Sequence, residues 1–281
     1  MDTYKSVVIT GASTGIGRAC ALHMDRLGWR VFAGVRRDAD AASLRAEAST
    51  RLAPLMLDVT DKASIKEAAD VVRDSLGGHG LSGLVNNAGI PYGGPVEFLI
   101  LDQVRRTFDV NFFGLIEVTQ AFLPMLRTGH GRIVNMSSVS GMIAAPFVSP
   151  YSSSKFAMEA LSDALRVELH PWNIGVSVIQ PGAIDTPIWD KATSVVQQII
   201  IDAPQAGLDL YGSAIHGMQG NFVPHGISTE VVAKAVAHAL TARHPKTRYA
   251  IAFEGAVVRL LRWLPDRWRD RLMLWRSPKW G

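Results

Sequence analysis

The 281-residue sequence contains a single cysteine, Cys20, so no disulfide can form within the chain. Such cysteine usage is typical of proteins in a reducing compartment, and we expect a cytoplasmic location. The sequence has no stretch of about 18 or more apolar residues, which argues against a spanning helix. Its first ten residues lack the charged-then-apolar pattern of a secretion signal. No spacing typical of a metal site is present, so we expect no metal.

Low-complexity tracts, internal repeats and an obvious linker are also missing, so residues 1–254 are predicted to form one domain. Hydrophobic residues make up 48% of the chain, enough for a large buried core. The net charge of +4 is concentrated at one end, because residues 255–281 carry seven Lys or Arg against two Asp. The other 254 residues carry 22 basic and 23 acidic side chains. We therefore expect no nucleic-acid partner for the domain.

Short β-branched segments alternate with amphipathic segments along the domain. Strands are predicted at residues 6–10, 30–35, 54–57, 83–86, 132–136, 175–179 and 248–253. Helices are predicted at residues 16–27, 62–76, 101–126, 152–169 and 229–242. The alternation predicts an α/β fold, a doubly wound Rossmann-type parallel sheet with helices on both faces. Ligands of such sheets bind beyond the carboxyl ends of the strands.

The first predicted strand leads into a glycine-rich turn, T-G-A-S-T-G-I-G, at residues 10–17. Gly11 permits a tight turn, Gly15 lets the backbone approach a pyrophosphate, and Gly17 lets the following helix pack closely on the sheet. The helix N-terminus offers N–H groups and the positive end of its dipole to phosphates. The spacing differs from the commoner G-x-G-x-x-G, and such a turn alone also fits an ordinary structural loop.

Other strand ends strengthen the interpretation of this edge as a dinucleotide site. Asp58 follows the third strand, where its carboxylate can accept a hydrogen bond from an adenine amino group. The sequence N-N-A-G at residues 86–89 ends the fourth strand and leaves room for a ribose. Pro181 and Gly182 follow the sixth strand, and Thr186 comes soon after. All of these positions lie at one edge of the predicted sheet.

Tyr151 and Lys155 open a long predicted helix, where a spacing of four places both side chains on one face. A cation about 4–5 Å away could lower the pKa of a phenol, ordinarily about 10, by roughly two to three units before desolvation opposes it. The pair is then sufficient for acid/base work on an alcohol. A lone Y-x-x-x-K is more often two surface residues. Here Ser138 ends the fifth strand, and Asn111 is a polar residue inside a predicted helix.

Taken together, these motifs resemble those of the short-chain dehydrogenase/reductase family, in the branch that holds retinol and 17β-hydroxysteroid dehydrogenases. The resemblance implies a catalytic set of Asn111, Ser138, Tyr151 and Lys155. Tyr151 would be the general acid/base, Ser138 would hold the substrate oxygen, and Lys155 would bind the nicotinamide ribose and lower the pKa of Tyr151. Asn111 would support a water that relays protons to Lys155. The expected cofactor contacts are Gly11, Ser13, Thr14, Gly15, Ile16, Gly17, Arg36, Asp58, Val59, Asn87, Ala88, Gly89, Tyr151, Lys155, Pro181, Gly182, Ile184 and Thr186.

The end of the second strand bears on the choice of cofactor. NAD-preferring relatives carry an acid there for the ribose hydroxyls, but this sequence has Val35 followed by Arg36. Arg36 could meet a 2′-phosphate, so NADP is favoured over NAD. In the alternative interpretation the arginines are solvated loop residues, and Asp38 or Asp40 turns inward to bind NAD.

Residues 186–228 correspond to the substrate lid of the family and are rich in apolar groups. Ile188 and Trp189 in the lid, with Met142 and Ile143 after Ser138, are expected to line an apolar substrate site. An apolar alcohol or ketone, steroid-like or retinoid-like, is therefore the expected substrate, with hydride transfer as the reaction. These residues could equally pack the lid itself. The alternative function is a non-catalytic protein that senses the nicotinamide cofactor through the same fold.

The C-terminal residues 255–281 hold four of the seven tryptophans beside several arginines. Apolar residues recur there at helical spacing, and Pro265 should begin a second helix. We favour docking of this tail near the lid, while docking on a second subunit and peripheral contact with an anionic membrane stay open. The family resemblance also implies a homodimer or homotetramer, through the helices containing Asn111 and Tyr151.

Overall fold

The computed structural model describes residues 5–182, 184–185, 204–221, 226–251, 261 and 263–276. Seven strands form one parallel sheet in the order β3-β2-β1-β4-β5-β6-β9, and two short strands, β7 and β8, pair separately in parallel. The strands are β1 Ser6–Ile9, β2 Arg30–Val35, β3 Leu52–Met56, β4 Gly83–Asn86, β5 Arg132–Met136, β6 Gly175–Pro181, β7 Ile184–Asp185, β8 Ile227–Ser228 and β9 Arg248–Ile251. The predicted α/β fold is confirmed.

Helices cover both faces of the sheet. They are α1 Gly15–Arg26, α2 Asp38–Glu47, α3 Lys62–Leu76, α4 Leu101–Phe108, α5 Gly114–Thr128, α6 Ser149–Glu168, α7 Gln205–Asn221, α8 Thr229–Thr241 and α9 Asp266–Arg276. Side chains of β1 alternate between two cores: Val7 and Ile9 pack with α1, α2 and α8, whereas Val8 packs with α3 and α5. Burial on both faces explains why Val7, Val8 and Ile9 form a continuous apolar run.

Two parts of the helical prediction differ from the structure. Helix α2 was not predicted, because only Ala41 and Leu44 of its ten residues are buried and its apolar face is therefore weak. The predicted helix at 101–126 is interrupted by a π-helical turn, Asp109–Phe113, between α4 and α5. A side chain at Gly114, just after this turn, would place its Cβ 2.5 Å from the Val59 carbonyl oxygen, so the helix passes very close to the segment that follows β3.

The C-terminal helix α9 begins directly after Pro265, as the sequence predicts. Trp263, Trp268 and Leu274 are 86%, 65% and 60% exposed, and Leu264 is exposed as well. Of the apolar residues at helical spacing, Leu264 and Trp268 are thus exposed, whereas Leu261 and Leu272 are half-buried, and docking of the tail near the lid stays a prediction. No helix among the described residues is long and apolar enough to cross a bilayer.

Candidate active site

The strand order reverses direction between β1 and β4, which opens a crevice at their carboxyl ends. The glycine-rich turn lies in this crevice. Gly11 and Gly15 have φ values of +65° and +57°, in the left-handed region that favours glycine. A Cβ at Gly11 would also lie 2.9 Å from the Cα of Ala88, so the turn and the end of β4 are in close contact.

Asn87 joins the glycine-rich turn to β4. Its side-chain amide donates to the carbonyl oxygens of Thr10 and Gly11, both at 3.0 Å. In return, the Thr10 hydroxyl oxygen accepts from the backbone N–H groups of Asn87 and Ala88, both at 2.9 Å. A Cβ at Gly17 would lie 2.2 Å from the Gly11 carbonyl oxygen and 2.4 Å from the Asn87 amide nitrogen. Asn87 therefore stabilises the glycine-rich turn, in addition to any contact that it makes with a ligand.

The N-terminus of α1 is suited to an anion. In the part of the chain that the structure describes, the side chain of the N-cap residue Thr14 makes no hydrogen bond to the first turn, and that turn has no acidic residue. Ser13 and Ile16 lie beside the same helix end. Backbone N–H groups at a helix N-terminus carry partial positive charge and bind phosphates. Together with the glycine cradle, these features fit the pyrophosphate of a dinucleotide.

The end of β2 holds a cation where the adenosine ribose would lie. Val35 is the last residue of β2, and the side chain of Arg36 after it is 64% exposed, with Nη1 4.0 Å from Oδ2 of Asp58. The other carboxylate oxygen of Asp58 accepts from the Thr60 backbone N–H and hydroxyl at 2.9 and 2.7 Å. Burial raises the pKa of Asp58, but these hydrogen bonds and the Arg36 charge outweigh it and lower the pKa overall. Val59, next to Asp58, is buried.

Arg37 and Asp40 pair with each other. Nε and Nη2 of Arg37 donate to the two carboxylate oxygens of Asp40, each at 2.8 Å. The bidentate contact lowers the pKa of Asp40 and joins its carboxylate to Arg37, the N-cap residue of α2. Because both charges are engaged, Arg36 is the arginine of this loop that is better placed to meet a phosphate.

Lys155, in the second turn of α6, is buried against the carboxyl end of β5. Its Nζ donates to the Met136 carbonyl oxygen at 2.8 Å and lies 5.6 Å from the ring centroid of Tyr151. Burial disfavours the ammonium form and lowers the pKa of Lys155 to about 8, although the negative charge of Glu159 opposes this shift. The helical spacing of four therefore brings the two predicted catalytic side chains onto one face.

The phenol of Tyr151 has a raised pKa in the chain by itself. Burial of the phenol is the main cause, and the hydrogen bond with the Ser138 side chain offsets it only in part. The sequence-based expectation of a lowered pKa is therefore not met by the protein alone, because desolvation of the phenol exceeds the effect of the Ser138 hydrogen bond. Ser138 is itself oriented by its loop, since its hydroxyl oxygen accepts from the Ser140 backbone N–H at 3.1 Å.

Asn111 is fully buried in the π-helical turn and uses its amide within the protein. Its side chain accepts from the Ile90 N–H at 2.8 Å and donates to the Ile90 carbonyl oxygen and to the Ser154 hydroxyl, both at 3.0 Å. Ser154 in turn donates to the Tyr151 carbonyl oxygen at 2.7 Å. These bonds fix Asn111 relative to α6; its role in a proton relay to Lys155 stays a prediction.

Gly89 lies where the dinucleotide and reactive parts meet. A Cβ at this position would lie 3.3 Å from the Asn111 side-chain oxygen and 3.6 Å from Nζ of Lys155.

At the carboxyl end of β6, Gly182 donates its N–H to the Ile251 carbonyl oxygen at 3.0 Å, and Pro181 and Ile184 are buried. The structure thus gathers nearly all described site residues at one edge. Thr186, Ile188 and Trp189 lie outside the described residues.

An apolar wall stands beside the reactive edge. Met142 is buried and Ile143 half-buried in the loop after Ser138. Helix α7 is docked by an aromatic cluster, in which the Tyr211 ring meets Phe98 and Phe147 edge-on with ring centroids 6.1 Å apart in each pair. Sequence analysis missed this cluster because its three aromatics lie far apart in the chain and follow no common periodicity.

Residues 5–196 of the chain match the model of the short chain dehydrogenase family. The chain belongs to this family. Two curated relatives of this short-chain dehydrogenase are 37% identical to it: 17-beta-hydroxysteroid dehydrogenase type 6 of Bos taurus, covering 98% of this chain and 89% of the relative, and retinol dehydrogenase 5 of Mus musculus, covering 97% and 89%. The predicted resemblance to the retinol and hydroxysteroid dehydrogenase branch is confirmed.

Solved structures agree with this assignment. A short-chain dehydrogenase from Streptomyces avermitilis superposes with a TM-score of 0.78 at 27% identity, covering 98% of this chain and 97% of that one. A second, from Burkholderia cenocepacia in complex with NADP, gives a TM-score of 0.73 at 25% identity, covering 96% and 97%. The short-chain dehydrogenase described here is therefore an oxidoreductase of alcohols and ketones that uses a nicotinamide cofactor.

The close contact at Gly17 can be tested with Gly17→Ala. Alanine is the better helix former by about 1 kcal/mol, but its Cβ would overlap the Gly11 carbonyl and the Asn87 amide. We expect a net loss of roughly 1–3 kcal/mol in the free energy of unfolding and weaker cofactor binding, measured by thermal unfolding and by cofactor titration.

Gly175→Ala at the start of β6 is the matched control, because the Cβ that this change adds would lie 3.7 Å from Cγ of Arg132, the nearest described atom, which is an ordinary van der Waals contact. It should leave cofactor binding unchanged. Unaltered stability and binding in Gly17→Ala would show that the turn does not depend on this contact.

Proposed function

We propose that this short-chain dehydrogenase interconverts an apolar secondary alcohol and its ketone, steroid-like or retinoid-like, with NADP in preference to NAD. The observation that carries the proposal is the grouping of Ser138, Tyr151 and Lys155 with Asn111 beside the glycine-rich turn. The similarity to a 17-beta-hydroxysteroid dehydrogenase and a retinol dehydrogenase supports the apolar substrate.

The cofactor would lie across the carboxyl edge of the sheet. The glycine-rich turn and the N-terminus of α1 would hold its pyrophosphate, and Asp58 with residues 87–89 would hold the adenosine. Lys155 would bind the ribose next to the nicotinamide. The chemistry that a bound nicotinamide cofactor supplies is a hydride, given to a carbonyl carbon or taken from an alcohol carbon.

Tyr151 would transfer the proton. In the reductive direction its hydroxyl gives a proton to the substrate oxygen as that oxygen gains negative charge, and in the oxidative direction the phenolate takes the proton of the alcohol. Because burial raises the pKa of Tyr151, the residue carries its proton at neutral pH. Ser138 would hold the same substrate oxygen through its oriented hydroxyl. This arrangement favours reduction of a ketone at neutral pH.

An apolar substrate is supported by the surroundings of Tyr151. Met142 and Phe147 are buried apolar residues of the segment between Ser138 and α6, and the rings of Phe147 and Phe98 pack edge-on against Tyr211. Ile143, Ile188 and Trp189 would add to this apolar surface. A substrate rich in hydroxyl groups would lose its hydrogen bonds to water on this surface without replacement.

We expect Tyr151→Phe to lower kcat by about a hundredfold or more, because the change keeps the ring and removes the group that exchanges the proton. Turnover would be measured with a panel of apolar ketones and NADPH, following absorbance of the reduced cofactor. Cofactor binding should persist.

The matched control is Ser153→Ala, an exposed neighbour on the same helix, which should keep full turnover. Ser138→Ala should lower turnover while keeping most of the cofactor affinity. Near-normal turnover in Tyr151→Phe would reject the assignment of Tyr151.

For the cofactor, we expect the wild-type protein to prefer NADPH, and Arg36→Ala to raise the KM for NADPH roughly ten- to hundredfold, because a charged hydrogen bond to the 2′-phosphate is lost. The KM for NADH should stay nearly the same. Initial rates with both cofactors at one ketone concentration give the comparison.

Arg45→Ala, which removes an exposed charge from α2, serves as the control for net charge. Equal changes for NADPH and NADH in Arg36→Ala would mean that Arg36 has only a structural role. A wild-type preference for NADH would contradict the proposed cofactor.

We further propose that the domain, residues 1–254, works in the cytoplasm and that residues 255–281 contact an anionic membrane surface. Trp263, Trp268 and Leu274 are exposed, and Arg267 and Arg271 lie among them. Exposed tryptophans beside arginines suit the interface of an anionic bilayer.

A homodimer or homotetramer through α5 and α6 is also proposed, since Phe113, at the start of α5, and Val167, on α6, are exposed apolar residues.

The full-length protein should co-sediment with vesicles containing an anionic lipid at low salt and be released at high salt, because screening weakens the attraction of the arginines. A chain ending at Glu254 should stay in the supernatant with its fold and turnover intact. Neutral vesicles are the control.

Three outcomes would contradict membrane contact. One is absence of the full-length protein from the pellet of anionic vesicles. Another is unfolding of the domain on truncation, which would make the tail part of the core. The third is a truncation that changes only the molar mass measured by light scattering, which would make the tail a subunit contact.

A further inference from the structure

Glu159 lies one helical turn after Lys155 on α6 and is buried. A buried carboxylate is unfavourable unless hydrogen bonds or an opposite charge replace its hydration. Sequence analysis gave this residue no role, because a glutamate in the middle of a helix is ordinarily a surface residue. Its burial next to the proposed catalytic lysine therefore needs a physical reason.

Two elements of the sheet hold the Glu159 carboxylate. Arg248 on β9 donates from Nε to one oxygen at 2.9 Å, and Gln180 on β6 donates from its side-chain amide to the other at 2.9 Å. A second group of Arg248, Nη2, donates to Asp163 at 2.7 Å. The carboxylate of Glu159 is thus fixed by two strands that lie outside its own helix.

The stem of Glu159 also packs against the loop that carries Ser138. A Cβ at Gly141 in this loop would lie 3.2 Å from Cγ of Glu159 and 3.2 Å from the Lys155 carbonyl oxygen. Glu159 therefore contacts the surroundings of both Lys155 and Ser138, although it is not itself at the carboxyl edge of the sheet.

We propose that Glu159 is a positioning residue, whose carboxylate, held by Arg248 and Gln180, keeps Lys155 in its protonated form and supports the Ser138 loop. The functional consequence rests on the proposed role of Lys155 in catalysis. Glu159 acts through Lys155 and needs no contact with the substrate.

The charges around Lys155 support this role. On α6 the titratable neighbours are Tyr151 and Glu159, and beyond Glu159 lies Arg248 of β9. The groups of the π-helical turn and β5 that the structure places near Lys155 are uncharged, the Asn111 amide near Gly89 and the Met136 carbonyl. Asp109 of the turn is exposed, and Arg132 of β5 donates to the Ala239 carbonyl oxygen. Burial brings the pKa of Lys155 down to about 8, and Glu159 is the charge that opposes it. Without Glu159, the lysine would lose its proton at a lower pH.

A purely structural role would be to tie α6 to β9, and Asp163 provides the comparison. Asp163 shares Arg248 with Glu159 but lies one turn farther from Lys155 and is half exposed. If the ion pair only ties the helix to the sheet, loss of either carboxylate should have the same effect. If Glu159 acts on Lys155, only its loss should change the titration of the lysine.

The experiment follows the titration of Lys155 in the full-length protein by carbon NMR of labelled lysine, assigned with Lys155→Met. Glu159→Gln should move this titration to lower pH by about one unit, and Asp163→Asn should leave it nearly unchanged. Arg248→Met removes the cation that offsets Glu159, so it should move the titration to higher pH. The alkaline limb of kcat/KM should move in the same directions.

Shifts of opposite sign in Glu159→Gln and Arg248→Met support the proposal, because a general loss of structure would move both the same way. An unchanged titration in Glu159→Gln, or an equal shift in Asp163→Asn, would overturn it. If Glu159→Gln does not fold, the double variant with Arg248→Met replaces it, and a titration identical to that of Arg248→Met alone would overturn the proposal. The NMR reading needs no turnover, so it is independent of whether the proposed function fails.

Discussion

A buried ammonium group, that of Lys155, constrains the arrangement around the reactive edge. A charge that has lost its hydration needs a partner nearby, and the Met136 carbonyl at the end of β5 provides one at 2.8 Å. This bond fixes the start of α6 relative to β5, and therefore Tyr151 relative to Ser138. Gly89 leaves space beside Asn111 and Lys155, because a side chain at this position would contact the Asn111 side-chain oxygen and the Lys155 ammonium group. The site is thus built around one desolvated charge.

The sheet supplies the second constraint. Because β1 and β4 are neighbours although β2 and β3 lie between them in the chain, the loops after β1 and β4 diverge to opposite sides and leave a crevice. The Thr10 and Asn87 hydrogen bonds hold the two loops together at the base of this crevice. The glycine-rich turn and the end of β4 are consequently held in one fixed arrangement at the base of the proposed cofactor site.

Sequence reasoning predicted the features whose physical cause is local. The glycine turn at Gly11 and the pairing of Tyr151 with Lys155 each depend on a few adjacent residues, so their patterns are visible in the sequence. The parallel sheet follows from the alternation of segments. By contrast, the pairing of Glu159 with Arg248 joins residues 89 positions apart, and nothing near either residue indicates it. The π-helical turn at 109–113 was missed for a similar reason, because its bonds go to a distant loop and to α6.

The direction of proton transfer depends on the balance between burial and charge at Tyr151. With burial dominant, the phenol of the protein alone holds its proton at neutral pH and is a donor. An active base for alcohol oxidation would need further positive charge near the phenol, or a higher pH. Within the proposed function, a protonated Tyr151 and an exposed Arg36 point the same way, since one favours reduction and the other favours the phosphorylated cofactor that reductive pathways ordinarily use. If the Lys155 charge depends on Glu159, this preference extends through α6 to β9, so that residues well outside the crevice help to set the chemistry at its edge.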